Sequence, residues 1–74
     1  MDWNKVNLRT KNKNLPEVKH RVLWATTEGA PSKGTFYKFT GWLTEDGKHV
    51  DTGLQRYKLT SNFWWAEMTD PELD

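Results

Sequence analysis

Alternating apolar and polar positions dominate the chain from residue 20 onward and predict an antiparallel β-sheet. Strand-forming residues are concentrated in four stretches, near 20–26, 35–43, 54–60 and 63–68, and residues 49–52 read as a short continuation. Helical periodicity is poor throughout, and only NLPEV at 14–18 resembles a single helical turn, with Asn14 as its cap. The pattern predicts a mainly β fold: a small antiparallel sheet of four to five strands with at most one helical turn.

Turn-forming residues separate the predicted strands. Residues 27–34, TEGAPSKG, have the Gly, Pro and Ser content of a loop. Asp46 and Gly47 within EDGK form a strong signal for a tight hairpin. Gly41 interrupts a predicted strand, which indicates either a bulge or a close approach of another backbone. Pro71 ends the pattern because proline cannot continue a central strand.

Alternation divides the side chains of these strands between two faces. One face is predominantly apolar and predicts the core: Tyr37, Phe39, Leu43, Tyr57 and Leu59. The opposite face mixes aromatic and basic residues: Phe36, Lys38, Thr40, Trp42, Leu54, Arg56 and Lys58. Because unpaired charges are costly to bury, this mixed face is predicted to be the outer, wetter side of the sheet.

The chain has 74 residues, which suffices for one small domain over residues 1–74. It contains no cysteine, so disulfides, thiolate zinc sites and cysteine nucleophiles are excluded. Tryptophan can supply the missing stabilisation, since each large aromatic buries roughly 150–250 Å², and five occur. Residues 1–19 are predicted as a polar arm that packs on the sheet, and residues 69–74 as an acidic tail.

Motifs at both ends and in the first long strand resemble a family of short phage and prophage proteins classed as a domain of unknown function. The family pattern runs from a Trp through Leu-Pro-Glu and a Val-Leu-Val strand to a closing His-Trp-Met-Pro-Leu-Pro-Glu-Pro-Pro. The matching pieces here are Trp3 with Val6, LPE at 15–17, RVLW at 21–24 and WWAEMTDPE at 64–72. Trp64 stands where the family usually has His, and Thr69 where it often has Pro.

The resemblance implies a setting and a framework residue, but no activity and no catalytic residues. The setting is a phage or prophage, and hence the cytoplasm of the bacterial host. Trp64 and Trp65 are adjacent, so a strand must direct them to opposite faces. The resemblance implies that Trp65 is the framework tryptophan of the core, which places Trp64 on the outer face.

Neither catalysis nor metal binding is expected. The sequence contains no phosphate-binding loop, nucleophile elbow or His-Glu-x-x-His motif, and a domain of this size has little room for a dry cleft. His20 and His49 lie on different segments, and the acids Glu45, Asp46 and Asp51 surround a turn without paired ligand spacing. No metal and no cofactor are predicted.

The mixed outer face is the predicted binding site. Lys38, Arg56 and Lys58 supply positive charge, and Trp42 and Trp64 supply flat stacking surface. Bases beside indoles suit an anionic, planar ligand, because the charges take phosphates and a nucleobase stacks on indole for roughly 1–3 kcal/mol. The same residues suit protein recognition, since Trp, Tyr and Arg dominate binding hot spots.

Other interpretations of the same residues stay open. Arg9, Lys11 and Lys13 form a second, weaker basic candidate in a polar loop. Residues 1–19 could fold across the outer face with Trp3 over its aromatics, or a homo-oligomer could bury that face. A net charge of +1 is too small to indicate nucleic-acid binding. No stretch approaches the roughly 20 apolar residues of a membrane span.

The sequence therefore predicts a small, non-enzymatic phage accessory protein of the bacterial cytoplasm. Its expected role is to counteract host defence by sequestering an anionic, nucleotide-type ligand. The alternatives are an inhibitor that binds a host protein through the aromatic and basic face, and a structural or assembly component.

Overall fold

The fold is an all-β sheet in the part of the chain that the computed structural model describes, residues 2–28 and 34–68. Its strands are β1 (Asn4–Lys5), β2 (Arg21–Thr26), β3 (Tyr37–Leu43), β4 (His49–Asp51), β5 (Arg56–Lys58) and β6 (Phe63–Ala66). They form one six-stranded sheet in the order β1-β6-β2-β3-β4-β5, and every neighbouring pair is antiparallel. The predicted mainly β class is confirmed. The acidic tail predicted at 69–74 and the centre of the predicted loop, 29–33, lie outside the described residues.

The sheet has six strands, slightly more than the four to five that the pattern predicts. Strand β4 arises from the predicted short continuation, and β1 comes from the polar arm, where no alternation marks it. Residues 14–18 form no helical turn. Asn14 adopts a left-handed φ of 57°, and its carbonyl accepts the Nε1–H of Trp65 at 2.7 Å. This tertiary hydrogen bond ties the segment to β6.

The connection between β3 and β4 is the tight turn that Asp-Gly predicts. Gly47 has a φ of +69°, and its N–H donates to the Thr44 carbonyl at 2.8 Å. Asp46 accepts the N–H of Lys48 at 2.8 Å, which holds the turn from the inside. Gly41 is a position of close approach, since a Cβ there would stand 2.5 Å from the Asp51 carbonyl oxygen.

The core lies on the inner face of the sheet, at its middle. Trp24 is fully buried and meets the ring of Phe63 edge-on, with centroids 6.1 Å apart. Leu43 and Leu59 are 2% and 4% exposed, as the alternation predicts. The core cluster consists of Val6, Val22, Trp24, Leu43, Val50, Leu59 and Phe63.

The prediction that Tyr37 and Tyr57 are buried in the core is wrong. Tyr37 and Tyr57 are 46% and 36% exposed, although strand pairing opposite Thr26 and Val50 places them on the inner face. The reason is their position, because Tyr37 begins β3 and Tyr57 lies on β5, an edge strand. The other two predicted framework aromatics, Phe39 and Trp65, are half-buried and pack against the core.

The N-terminal arm packs on the inner face. Val6 is a core residue, and its N–H donates to the Phe63 carbonyl at 3.0 Å. Leu8 and Leu15 pack against the same cluster. The interpretation in which this arm folds across the outer face is therefore wrong for these three residues, whereas Trp3 and Lys5 of the same arm do lie on the outer face beside Trp64.

Candidate functional site

The register places all five predicted site residues on the outer face of the sheet. Antiparallel partners share a face, and Ala25 is the partner of both Lys38 and Trp64. A second row of partners runs across four strands through Arg21, Trp42, Asp51 and Arg56, and Lys58 pairs with His49 beside it. The alternation of the sequence predicts this common face, but the structure separates the five residues into three places.

The first place brings Trp64 and Lys38 together. They line an open cavity of about 350 Å³ with Trp3, Phe36 and Ala25. Trp64, Phe36 and Lys38 come from β6, from the residue before β3 and from β3, and the small Ala25 of β2 lies between them. We call the set Trp3, Lys5, Phe36, Lys38 and Trp64 the Trp64 cluster.

Aromatic contacts shape the cavity of the Trp64 cluster. Phe36 meets Trp64 edge-on, with ring centroids 5.2 Å apart and planes at 77°. Trp3 and Phe36 remain 37% and 46% exposed, so the walls face solvent. Ala25 is only 4% exposed, because these larger side chains surround it. The result is an open recess with aromatic walls, whose volume of about 350 Å³ leaves room for a planar ring.

Two ammonium groups belong to the same cluster. Lys5 Nζ stands 4.1 Å from the ring centroid of Trp64 and donates to the Ser61 carbonyl. Lys38 forms no ion pair within the described residues. Cations on the rim favour an anion and oppose a cationic guest, so this recess does not suit the quaternary ammonium ligands that aromatic cages bind.

The second place holds Trp42 and Arg56, which we call the Trp42 cluster together with Arg21 and Asp51. The Arg21 guanidinium lies 5.2 Å from the Trp42 ring centroid and donates to Thr40 Oγ1 at 3.3 Å. Arg56 donates to the Asp51 carboxylate at 3.4 Å. Here both cations already have partners.

Acidic residues of the β3–β4 turn border the Trp42 cluster. Glu45 and Asp46 line its cavity together with Lys19. Hydrogen bonds from the Thr44 hydroxyl, then the Lys48 N–H, lower the pKa of Asp46 to about 2, and His49 adds to the shift. A hydrogen bond from Lys19 lowers the pKa of Glu45. Both carboxylates are ionised at neutral pH, so this end of the outer face is less favourable for an anion than the Trp64 cluster.

The third place is the cavity that Lys58 lines at the edge of the sheet. Its other lining residues include Lys13 and Lys48 over the apolar side chains of Leu8 and Leu59. The structure thus joins one residue of the main predicted site to one residue of the basic loop. Arg9 and Lys11, the other two residues of that loop, are exposed and line none of these three cavities.

Five residues of the two clusters lie outside the predicted site: Trp3, Lys5, Arg21, Phe36 and Asp51. For Phe36 the alternation predicts the outer face, but not a place in the site. Trp3 and Lys5 belong to the outer face because β1 pairs with β6, and nothing in the polar arm signals a strand. Arg21 pairs directly with Trp42, and its position before a continuous apolar run leaves its face unmarked in the sequence.

The described part of the chain has neither a metal-binding cluster nor a membrane-spanning helix. Residues 2–28 and 34–68 contain no group of three or more His, Cys, Asp or Glu side chains that could hold a metal ion. Nor does that part hold a helix long and apolar enough to cross a membrane.

Comparison of the chain with protein-family models, with curated proteins and with solved structures finds no match. The resemblance to short phage proteins rests on the quoted motifs alone.

Proposed function

We propose that this protein binds an anionic, nucleotide-type ligand in the recess of the Trp64 cluster. The observation that supports this most is the meeting of three exposed or half-buried aromatic rings around one cavity with the ammonium of Lys38, which has no ion-pair partner among the described residues. Stacking of a base against indole contributes roughly 1–3 kcal/mol, and the ammonium groups attract the phosphate. The protein acts by binding and not by catalysis.

The motifs shared with short phage proteins suggest where such binding takes place. We propose an accessory protein of a phage that works in the cytoplasm of the bacterial host. Sequestering a nucleotide signal would counteract a host defence that depends on it. A domain of this size needs no other activity for that role, because tight binding alone removes the free ligand.

Isothermal titration calorimetry with adenosine monophosphate tests the binding directly. Adenosine and inorganic phosphate serve as the two half-ligands, and the whole nucleotide should bind at least tenfold more tightly than either. Trp64→Ala should weaken binding about fivefold or more and leave the dependence of the affinity on salt concentration unchanged. Lys38→Gln should make the affinity less dependent on salt concentration, because fewer ions are displaced on binding.

Lys11→Gln is the matched control for Lys38→Gln, since it removes an exposed lysine that lies outside the cavity. Leu54→Ala is the control for loss of apolar surface, because that side chain is 95% exposed in a turn. Neither control should change the affinity. Equal binding of nucleotide and phosphate, or an unaltered affinity in both cavity variants, would contradict the proposal.

Inhibition of a host protein is the second candidate function. Exposure of Trp3 and Phe36 beside Trp64 favours it, because aromatic side chains anchor protein interfaces. In that case the protein should capture a host protein from lysate, and Phe36→Ala should abolish this capture. Adenosine monophosphate should not displace the captured host protein. Competition by the nucleotide would favour the ligand-binding function.

A further inference from the structure

We infer that the ligand of the outer face is a short single strand of nucleic acid that spans the Trp64 and Trp42 clusters. This inference rests on the proposed function, because it takes the recess of the Trp64 cluster as the first base-binding position. It adds a second position at the Trp42 cluster and a path between the two.

The spacing of the two clusters carries the inference. Lys38 and Trp42 lie on the same face of β3, four residues apart. At about 3.4 Å per residue, four residues separate the two side chains by roughly 14 Å along β3. A mononucleotide cannot touch both. Stacked bases advance about 3.4 Å per nucleotide, so four steps, and hence about five stacked nucleotides, cover the distance, and an extended nucleic-acid strand of four suffices.

Leu23 and Thr40 form the surface between the clusters. They pair with each other across β2 and β3, and Leu23 also pairs with Ala66 of β6, which is only 1% exposed. Trp3 lies at the β1 end of this row, since the register of β1 and β6 sets it opposite Ala66. Leu23 is half-buried and Thr40 exposed, and neither side chain is aromatic or charged. Arg21 reaches toward this row, because its guanidinium donates to Thr40 Oγ1. A backbone phosphate that crosses this row therefore passes between the side chains of Lys38 and Arg21.

The Trp42 cluster can take a base without taking a phosphate. The planar guanidinium of Arg21 lies over the indole of Trp42, and a base can stack on such a pair as it stacks on an aromatic ring. The ionised Asp46 and Glu45 repel phosphate just beyond this point. This repulsion ends the path of the nucleic-acid strand at Trp42 and so limits the length of nucleic acid that the protein contacts.

The small net charge of the chain does not oppose this inference. On the outer face, the residues of the paired strands supply five basic side chains and one carboxylate, namely Lys5, Arg21, Lys38, Arg56, Lys58 and Asp51. A strand responds to the charge within about a Debye length, roughly 8–10 Å, and not to the sum over the chain. The local charge is positive at the Trp64 cluster, where Lys38 lines the cavity without a carboxylate among the described lining residues, and it becomes less positive toward Asp51, Glu45 and Asp46 at the Trp42 cluster.

Fluorescence anisotropy with fluorescein-labelled oligothymidylate and oligouridylate of one to eight nucleotides tests the inference. Affinity should rise at least tenfold between one and four nucleotides and change little beyond. Trp42→Ala should weaken the four-nucleotide strand about fivefold or more and leave adenosine monophosphate within twofold, whereas Trp64→Ala should weaken both. Arg21→Gln removes the stacking cation and serves if Trp42→Ala does not fold. Lys11→Ala is the control for loss of a positive charge, because this exposed lysine lines none of the three cavities, and it should leave the affinity for the four-nucleotide strand unchanged.

The outcomes separate this inference from the proposed function. Suppose that adenosine monophosphate binds but the affinity for oligonucleotides does not rise with their length, or that Trp42→Ala and Arg21→Gln leave that affinity unchanged. Then the inference of a nucleic-acid strand is overturned, and nucleotide binding in the recess of the Trp64 cluster is retained. If neither the mononucleotide nor any strand binds, both are overturned. A preference for uridylate or thymidylate strands would identify the kind of nucleic acid and support the inference.

Discussion

Trp24 and Trp65 face each other across β2 and β6, yet only Trp24 is fully buried. The central framework tryptophan is therefore Trp24 and not Trp65. We expect Trp24→Ala to lower the free energy of unfolding by roughly 3–5 kcal/mol, as core aromatic truncations do. Trp65→Ala should cost clearly less, because that side chain is half-buried. Chemical denaturation of both variants measures the difference.

A domain of this length has a total stability of only about 4–11 kcal/mol, so Trp24→Ala could fail to fold. Trp24→Phe then carries the test. It keeps a ring against Phe63 and removes an indole N–H that has no acceptor among the described residues. Trp65→Phe removes a donor that is bonded to the Asn14 carbonyl. Equal losses for the two alanine variants would show that the burial of Trp24 does not govern stability.

Gly41 should tolerate no side chain. A Cβ there would stand 2.5 Å from the carbonyl oxygen of Asp51, and a backbone atom cannot move aside cheaply. We expect Gly41→Ala to cost roughly 1–3 kcal/mol, as overpacking does. Hydrogen exchange should show the loss first in β4 and β5. Gly47→Ala is the comparison, since its Cβ meets open space and only its φ of +69° causes strain. A larger loss at Gly47 would contradict this explanation.

The contact between Lys5 and Trp64 should couple the polar arm to β6. The ammonium lies 4.1 Å from the ring centroid, and an exposed cation–π pair contributes about 0.5–1 kcal/mol. A double-mutant cycle with Lys5→Gln and Trp64→Leu, followed by thermal unfolding, measures this coupling. Lys38→Gln in place of Lys5→Gln provides the control cycle, because no cation–π contact joins Lys38 to Trp64 in the described part. A coupling near zero for Lys5 would be inconsistent with the contact.

Asp46 should make stability depend on pH in the acid range. Hydrogen bonds from Thr44 and Lys48 lower its pKa from 3.8 to about 2 in the folded state. A lowered carboxyl pKa stabilises the fold above the unfolded pKa, and this contribution is lost as pH falls from about 4 to about 2. Asp46→Asn should lose less stability over that window, since it keeps an acceptor but does not titrate. Parallel curves for the two proteins would be evidence against the shifted pKa.

The sheet and its two faces could be predicted because they depend on local alternation. Leu43 and Leu59 face the core and Lys38 and Trp42 face out, as a period of two requires. Burial could not be predicted in the same way, since it depends on where a strand lies in the sheet. Tyr57 has the right face but lies at an edge. Trp24 belongs to a continuous apolar run, in which alternation carries no signal.

The composition of the site depended on long-range pairing. Trp3 and Lys5 reach the Trp64 cluster only because two residues of a polar arm pair with β6, which lies at the other end of the described chain. Lys58 shares the predicted face but lines a cavity with Lys13 at the edge strand β5. Alternation predicts on which face of the sheet a side chain lies, but it does not predict which other side chains lie beside it.

The two edges of the sheet are short and basic. Strand β1 has two residues and carries Lys5, and β5 has three residues and carries Arg56 and Lys58. An edge of this kind offers few free backbone groups to an incoming strand and repels a second copy. Growth by strand addition, the first step toward a fibril, is therefore disfavoured at both ends. Concentrated solutions of this protein should bring copies together through their aromatic faces and not through their edges.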